Sequence, residues 1–357
     1  MLNNKMSARL FICGAFFLWL AFYFFEDSDS YAIKSSDEEI TNPFKTHVDT
    51  TNKFLLASND VDGISLPPDM GRQQLKFMLK AGTGLGELGI STTNGKIGPG
   101  LIKRIRNGYM IADTFNNRII KLNDEGDIKQ TLSFPKSSLI QGAAENSKGE
   151  VGVIRREYRK LKMDLFDESG NIIHTQPLNI KDEEILYNVG TFRTFYSNDE
   201  LYINNGDKTL RVSENGETKE VPGIPMENSP GLYVATRMGP NERYIVDIKD
   251  DSYKAVKSFY AQGKYDSLKS VYTDKKNQIH VEFEQVIESF SLETQENVAT
   301  KSTIIETYDQ NGKFLQDNII ESNVDVEIDQ NVDIDEEGNL NNLVFQGDSF
   351  KVYELII

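Results

Sequence analysis

The stretch IADTFNNRIIKLNDEG, residues 111–126, carries the reading of the fold. An apolar run stops at Asp113-Thr114, passes through Asn116-Asn117-Arg118, and resumes as alternating Ile, Lys and Leu before a second turn at Asp124-Glu125-Gly126. Side chains of a strand point alternately to its two faces, so this reads as two short strands about a tight turn, closed by a polar turn. If the unit recurs, the chain is a repeat protein.

It does recur. Aligned on the second turn, NDEG at Gly126 is followed by DESG at Gly170, SENG at Gly216, AQG at Gly263 and DQNG at Gly312, at spacings of 44, 46, 47 and 49 residues. Aligned on the turn before the YMIAD strand, RNG at Gly108 is followed by SKG at Gly149, SNDE at Glu200, PNE at Glu242, KKN at Asn277 and EEG at Gly338. That makes six units, the last interval being stretched by SFSLETQENVATK, residues 289–301, which reads as a loop insertion. Each unit runs strand, turn, strand, polar turn, strand, Asx/Gly turn, strand, and the glycines supply the positive backbone angle that tight hairpins need. Four antiparallel strands cannot bury both faces alone, but sheets arranged radially cover one another. The expected fold is therefore all-β, a six-bladed β-propeller of four-stranded blades. Blade six supplies only three strands before the chain ends at Ile357. An unpaired apolar edge is prone to association, so residues 74–80 of QQLKFMLKAG are expected to supply its outer strand by pairing around Phe350–Leu355.

In the first blade, GYMIADTFNNRIIKLNDEGDI resembles the NHL-repeat family, with its Gly, apolar strand, Ala-Asp-Thr, Asn, Arg-Ile, strand and Asp-x-x-Gly. The other blades keep the strand spacing and the turn but not those residues. The wider chain, residues 70–357, resembles exported bacterial six-bladed propellers in architecture. Under this resemblance the Gly-rich GTGLGELG, residues 82–89, is a crossing between blades. Its Gly84-x-Gly86-x-x-Gly89 pattern matches a dinucleotide fingerprint, but ISTTNGKIGPG after it cannot be the helix that such a site requires.

The N-terminus sets the compartment. MLNNKMSAR, residues 1–9, is a basic flank; LFICGAFFLWLAFYFF, residues 10–25, holds no charge; EDSDS follows. This order implies an N-inside, C-outside signal-anchor helix, with cleavage after Ser30-Tyr31-Ala32 as the alternative that would release the chain. Residues 26–50 are polar and acidic and read as a tether, leaving 51–357 for the propeller, expected outside the cytoplasm, periplasmic or at a cell surface. The single cysteine, Cys13, allows no disulfide within the chain and, with Ile12 before it, is poorly placed for lipidation.

Composition narrows the function. The 39 Lys and Arg against 55 Asp and Glu give a net charge of −16, the wrong sign for a general nucleic-acid binder. The three histidines, His47, His174 and His280, do not pair at metal-ligand spacing. No Gly-x-Ser-x-Gly elbow and no Cys/His pair is present. Asp333, Asp335 and Glu337 resemble the start of a calcium loop, but Val344 stands where the closing acid belongs. No cofactor or metal is expected. One charge pattern stands out: RREYRKLK carries Arg155, Arg156, Arg159, Lys160 and Lys162 in the second-to-third-strand loop of blade two, while Arg118, Lys208 and Lys254 hold comparable loops. Lys103, Arg104, Arg106, Arg193 and Arg237 fall on strands read as inner ones. An acidic protein would thus present a basic face, and Arg118, Arg155, Arg156, Arg159, Lys160, Arg193 and Arg237 are the candidate contacts for a partner protein or a small anionic ligand or polymer. Asp113, Asn116 and Arg118 have a second reading, in which the carboxylate and amide stabilise a turn and the arginine packs along the blade. The alternatives in function are a metal-dependent, lactonase-like hydrolase or lyase and a structural module of an envelope assembly.

Overall fold

A computed structural model of the chain describes residues 73–92, 97–180, 192–206, 208–291, 296–321, 326 and 328–355. The anchor at 10–25 and the tether at 26–50 lie outside the described residues, among which no helix is long and apolar enough to cross a membrane.

Six sheets follow one another along the chain, antiparallel throughout except that Glu87–Leu88 adds parallel to Gln73–Ala81 at the outer edge of the sixth. Blade one is Leu101–Ile105, Gly108–Asp113, Arg118–Leu122 and Ile128–Ser133. Blade two is Ser138–Glu145, Val151–Glu157, Lys160–Phe166 and Ile172–Pro177, and blade three is Arg193–Ser197, Glu200–Asn204, Thr209–Val212 and Thr218–Val221. Blade four is Ile224–Pro225, Leu232–Met238, Tyr244–Asp250 and Ala255–Tyr260, and blade five is Ser267–Thr273, Ile279–Ser291, Glu296–Tyr308 and Phe314–Glu321. Blade six takes Val332–Ile334, Leu340–Gln346 and Ser349–Leu355 from the C-terminal end.

The ring closes by strand exchange between distant parts of the chain, as expected. Gln73–Ala81 pairs antiparallel with Ser349–Leu355 from Gln73↔Leu355 to Lys80↔Ser349. Lys76 Nζ adds an ion pair to Glu354 at 2.8 Å.

The core is a series of layers between blades, because each sheet has two apolar faces to cover. Phe77, Tyr109, Ile111, Phe345 and Phe350 pack blade six on blade one. Leu101, Met110, Ile140, Val153 and Phe166 join blades one and two, and Ile154, Met163, Phe192 and Ile203 join two and three. Val246, Val281, Phe283 and Tyr308 join four and five, and Tyr272, Ile305, Leu340 and Leu355 join five and six.

One local device repeats through the blades. The first residue of a turn, an Asx, accepts backbone N–H groups two and four residues on, and the fourth residue takes a positive φ. Asp309 Oδ1 accepts from Asn311 and Lys313 N, both at 2.8 Å, and Gly312 has φ 72°. Asp274 does the same for Lys276 and Gln278 with Asn277 at φ 56°, and Asp335 for Glu337 and Asn339 with Gly338 at φ 90°. Asp335 is therefore spent on a turn rather than on a cation, and among the described residues no three His, Cys, Asp or Glu side chains could hold a metal together.

Three sequence expectations are corrected. In blade four the equivalent turn is Asp250–Tyr253, where Tyr253 stands in the glycine's place at φ 67° and Asp250 Oδ1 accepts from Ser252 and Lys254 N at 2.9 and 3.1 Å. The aligned Gly263 instead lies in the connection to blade five, and the turn at Pro240–Glu242 joins second and third strands rather than first and second. In blade five, the described residues of the insertion, 289–291 and 296–301, are strand rather than loop: they extend two 13-residue strands whose register runs unbroken to Ser291↔Glu296.

Candidate functional site

Strands alternate in direction within each blade, so the connections entering a blade and those joining its second and third strands open at the same end of the ring. Arg118, Arg155, Arg156, Arg159, Lys160, Arg193 and Arg237 all lie towards that end. Arg237 arrives there on a second strand, not on the inner strand that the sequence suggested.

Their surroundings separate them. Asp113, fully buried, accepts from Gly89 N at 2.9 Å through Oδ1, and through Oδ2 from Asn116 Nδ2 at 2.7 Å and Arg118 Nε at 2.9 Å. Arg118 Nη2 donates to the carbonyls of Gly84 at 2.7 Å and Glu87 at 2.5 Å, while Asn116 Nδ2 also reaches Gly82 O at 3.1 Å. The three residues form a clasp that binds the Gly-rich crossing to blade one, which is the turn-stabilising reading. Arg155 is likewise buried and committed within its blade: Nε and Nη2 meet Asp164 at 2.5 and 3.4 Å, and Nη1 meets Ser138 Oγ at 3.2 Å and Glu157 at 3.0 Å. Arg237 is half exposed but pairs with Asp247 at 2.7 Å. The exposed tip of the blade-two hairpin is Tyr158, Arg159 and Lys160, with Arg156 half-buried behind it.

Arg193 differs. It begins the first strand of blade three, and first strands ring the axis because those of neighbouring blades approach one another. Its guanidinium lies over the Tyr272 ring, 3.1 Å from the centroid, and Nη1 donates to Ser270 Oγ at 2.8 Å. Its Nε is buried and has no hydrogen-bond acceptor among the described residues. Around it stand Lys103 from blade one, Tyr272 and Glu282 from blade five, and Asp333 from blade six, all buried. Lys103 Nζ is 3.5 Å from Asp333 Oδ1, whose other oxygen accepts from Arg104 N at 2.8 Å. The Tyr272 hydroxyl is 2.9 Å from Glu282 Oε2 and 3.2 Å from Val332 O.

Burial drives the electrostatics here. It pulls the Lys103 ammonium down, against the opposing pull of Asp333, and the Arg193 charge lowers it further. It also lowers the Arg193 guanidinium and raises the Tyr272 phenol well above its usual value. Burial raises the Glu282 carboxyl, with the Tyr272 hydrogen bond and Arg193 working the other way. Clustering of perturbed groups in a recess is what binding and catalytic sites share.

Beside the cluster, a cleft of 110 Å³ lies between blades three, four and five, with Ser270 in its wall. A wider one of 330 Å³ lies between blades one and two, where Lys121 pairs with Glu145 at 2.5 Å and Arg106 stands 3.9 Å from Glu168.

Lys103 and Arg193 were legible as inner-strand cations, whereas Tyr272, Glu282 and Ser270 carried no motif. Asp333 was visible only as part of an acidic, calcium-like run.

No family model and no curated protein matches the chain. Among solved structures it is similar to a luciferin-regenerating enzyme at 11% identity and TM-score 0.45, covering 72% of this chain and 91% of that one. It is similar to virginiamycin B lyase from Staphylococcus aureus at 14% and 0.41, covering 74% and 97%, and to a protein of unknown function from Bacteroides caccae at 9% and 0.41, covering 64% and 83%. The described residues form an all-β, six-bladed propeller of four-stranded blades, a count that rests on the chain's own sheets.

Proposed function

We propose that this chain is an extracytoplasmic, membrane-tethered propeller, kin to the NHL-repeat proteins, that binds an anionic ligand or partner at the entry end of the ring. The observation that carries the reading is Arg193: a guanidinium stacked on Tyr272 in the throat, next to Lys103, with a buried Nε that has no acceptor among the described residues. A planar guanidinium fork suits carboxylate or phosphate oxygens. The exposed Tyr158, Arg159 and Lys160 at the tip of blade two add an outer contact, of the aromatic and arginine type that dominates binding surfaces. Arg118 and Arg155 support the scaffold in this reading and do not meet the ligand.

The test is binding of polyglutamate and citrate to the purified protein at rising salt. Exposed charges are screened over about 8–10 Å near physiological ionic strength, so affinity should fall with salt and fall again in Arg193→Gln and in the Arg159→Ser, Lys160→Ser pair. Binding unchanged in both variants overturns the reading. The tether is tested separately by N-terminal sequencing of membrane-extracted protein, where a start at Ile33 would refute an uncleaved anchor.

A further inference from the structure

We infer that the entry end of blades one and two rests on an anionic lipid surface, with Leu85 and Tyr158 entering it and Lys136, Arg159 and Lys160 meeting its headgroups. The inference rests on the tethered, entry-end reading above, since a tether keeps a bilayer within reach.

Among the described residues, Leu85 and Tyr158 are the two most exposed large apolar side chains, at 77% and 75%. Both stand at loop tips of adjacent blades and at the same end of the ring. Leu85 is in the crossing into blade one, and Tyr158 is in the second-to-third-strand turn of blade two. Phe115, from the matching turn of blade one, and Leu139, at the start of blade two, are exposed at that end as well.

Buried polar chemistry holds Leu85 in place. Arg118 donates to the carbonyls of Gly84 and Glu87, and Asn116 donates to that of Gly82. Glu87 Oε2 accepts from Gly84 N at 2.8 Å. The clasp thus fixes the chain on both sides of a leucine that touches water. An apolar tip held in this way loses little freedom when a surface covers it.

Charge selects the occupant. Lys136, Arg159 and Lys160 are exposed at the same end. The acids there are engaged within the chain: Asp113 by Arg118, Glu87 by Gly84 N, and Glu157 by Arg155 and Lys162. The opposite end carries exposed Asp124, Glu125, Glu168, Asp251, Glu336 and Glu337 on its turns. An anionic surface therefore draws the entry end and repels the other. Lysine and arginine hold to anionic headgroups while apolar and aromatic side chains sink to the acyl boundary. An anionic polymer would meet the cations but leave Leu85 and Phe115 in water. Blade five stands across the ring from blade two, and its 13-residue strands rise at this end beyond their neighbours. The bilayer accordingly meets the ring at a tilt, on blades one and two rather than over the throat.

The experiment uses the full chain in lipid nanodiscs of phosphatidylcholine alone or mixed with phosphatidylglycerol. Cys13→Ser removes the native thiol. A polarity-sensitive dye is attached at Thr83→Cys, beside Leu85, or at Glu214→Cys on the opposite end. In mixed discs the dye at 83 should shift to the blue and be quenched by brominated acyl chains, and the dye at 214 should not. Three cations at about fivefold each make the docked-to-free ratio about a hundredfold higher than in neutral discs, and salt should lower it. Arg159→Ser and Lys160→Ser should each reduce it about fivefold, and Leu85→Ser about tenfold. These side chains are exposed, and melting curves matching wild type establish that the variants are folded.

No quenching at 83 in mixed discs, with polyglutamate still bound, overturns this inference and leaves the broader reading standing. Equal quenching in the two kinds of disc overturns the role of the cations, and equal quenching at 83 and 214 overturns the orientation. Polyglutamate that shifts the dye at 83 while lipid leaves it unquenched puts a polymer on the tips and overturns the lipid. Quenching that persists when neither polyglutamate nor citrate binds refutes the throat alone. A chain that fails to co-elute with the discs refutes the tether, and the dye at 83 then reads the surface on added vesicles with the same outcomes.

Discussion

Replacing Arg118 by methionine is the sharpest test of how the ring is held. Asp113 is fully buried and the Arg118 side chain is only 7% exposed, with Nε 2.9 Å from Oδ2. The substitution keeps most of the aliphatic stem and removes the cation. Asp113 retains Gly89 N at 2.9 Å and Asn116 Nδ2 at 2.7 Å, but its charge is left buried without a counter-charge. The carbonyls of Gly84 and Glu87 lose their shared donor as well. Breaking a buried pair from one side costs about 3–5 kcal/mol, which corresponds to roughly 6–20 °C in melting temperature for a domain of this size. Asp113→Asn in the same background removes the stranded charge, so the double variant should be less destabilised than the sum of the two singles, by about 1–3 kcal/mol. Urea and thermal melts of the four proteins give the cycle. A cost below about 1 kcal/mol for Arg118→Met, with additive singles, would refute the clasp. Reduced anion binding in an undiminished fold would return Arg118 to the binding face.

Three further outcomes are expected. Cysteines at Met78 and Lys351, which face each other across the closing ladder, should crosslink under oxidation and raise the unfolding temperature; three free thiols after oxidation, the native Cys13 among them, would deny the closure. Gly126→Ala should cost about 1–3 kcal/mol by denaturant melt, because φ is 87° and an added Cβ would stand 2.6 Å from Phe77; an unchanged midpoint would show that the turn relaxes freely. Burial raises the Glu282 carboxyl above its usual value, so the folded state holds that proton more readily than the unfolded chain. Its stabilising contribution is complete at pH below the ordinary carboxylate range and is lost as pH rises through the raised value. Glu282→Gln, which keeps an acceptor for Tyr272, should therefore gain melting temperature relative to wild type between pH 4 and pH 8, and a pH-independent difference would contradict this.

Local chemistry made most of the architecture legible. Tight Asx/Gly turns leave a composition signature because only a few residues tolerate a positive φ and cap a turn with their own side chain. Strand alternation is equally local, and the missing strand of blade six followed from counting. Where a turn used another residue, the signature vanished: Tyr253 in the left-handed region hid the third-to-fourth-strand turn of blade four and pushed the alignment on to Gly263. A two-residue innermost strand that itself ends in a proline, Ile224–Pro225, has no alternation to read. The basic face was legible only as a list of charges, because sequence shows which side chains carry charge but not which find a counter-charge. Arg118 and Arg155 meet Asp113 and Asp164 through strand pairing that brings neighbouring strands into register, and both are thereby committed to the scaffold. Arg193, Lys103, Tyr272, Glu282 and Asp333 come from four blades and span more than two hundred residues of chain. Only closure of the ring brings them together and buries them, and that burial is the largest cause of the shifted proton affinities of Lys103, Arg193, Tyr272 and Glu282, so the throat was decided by tertiary structure.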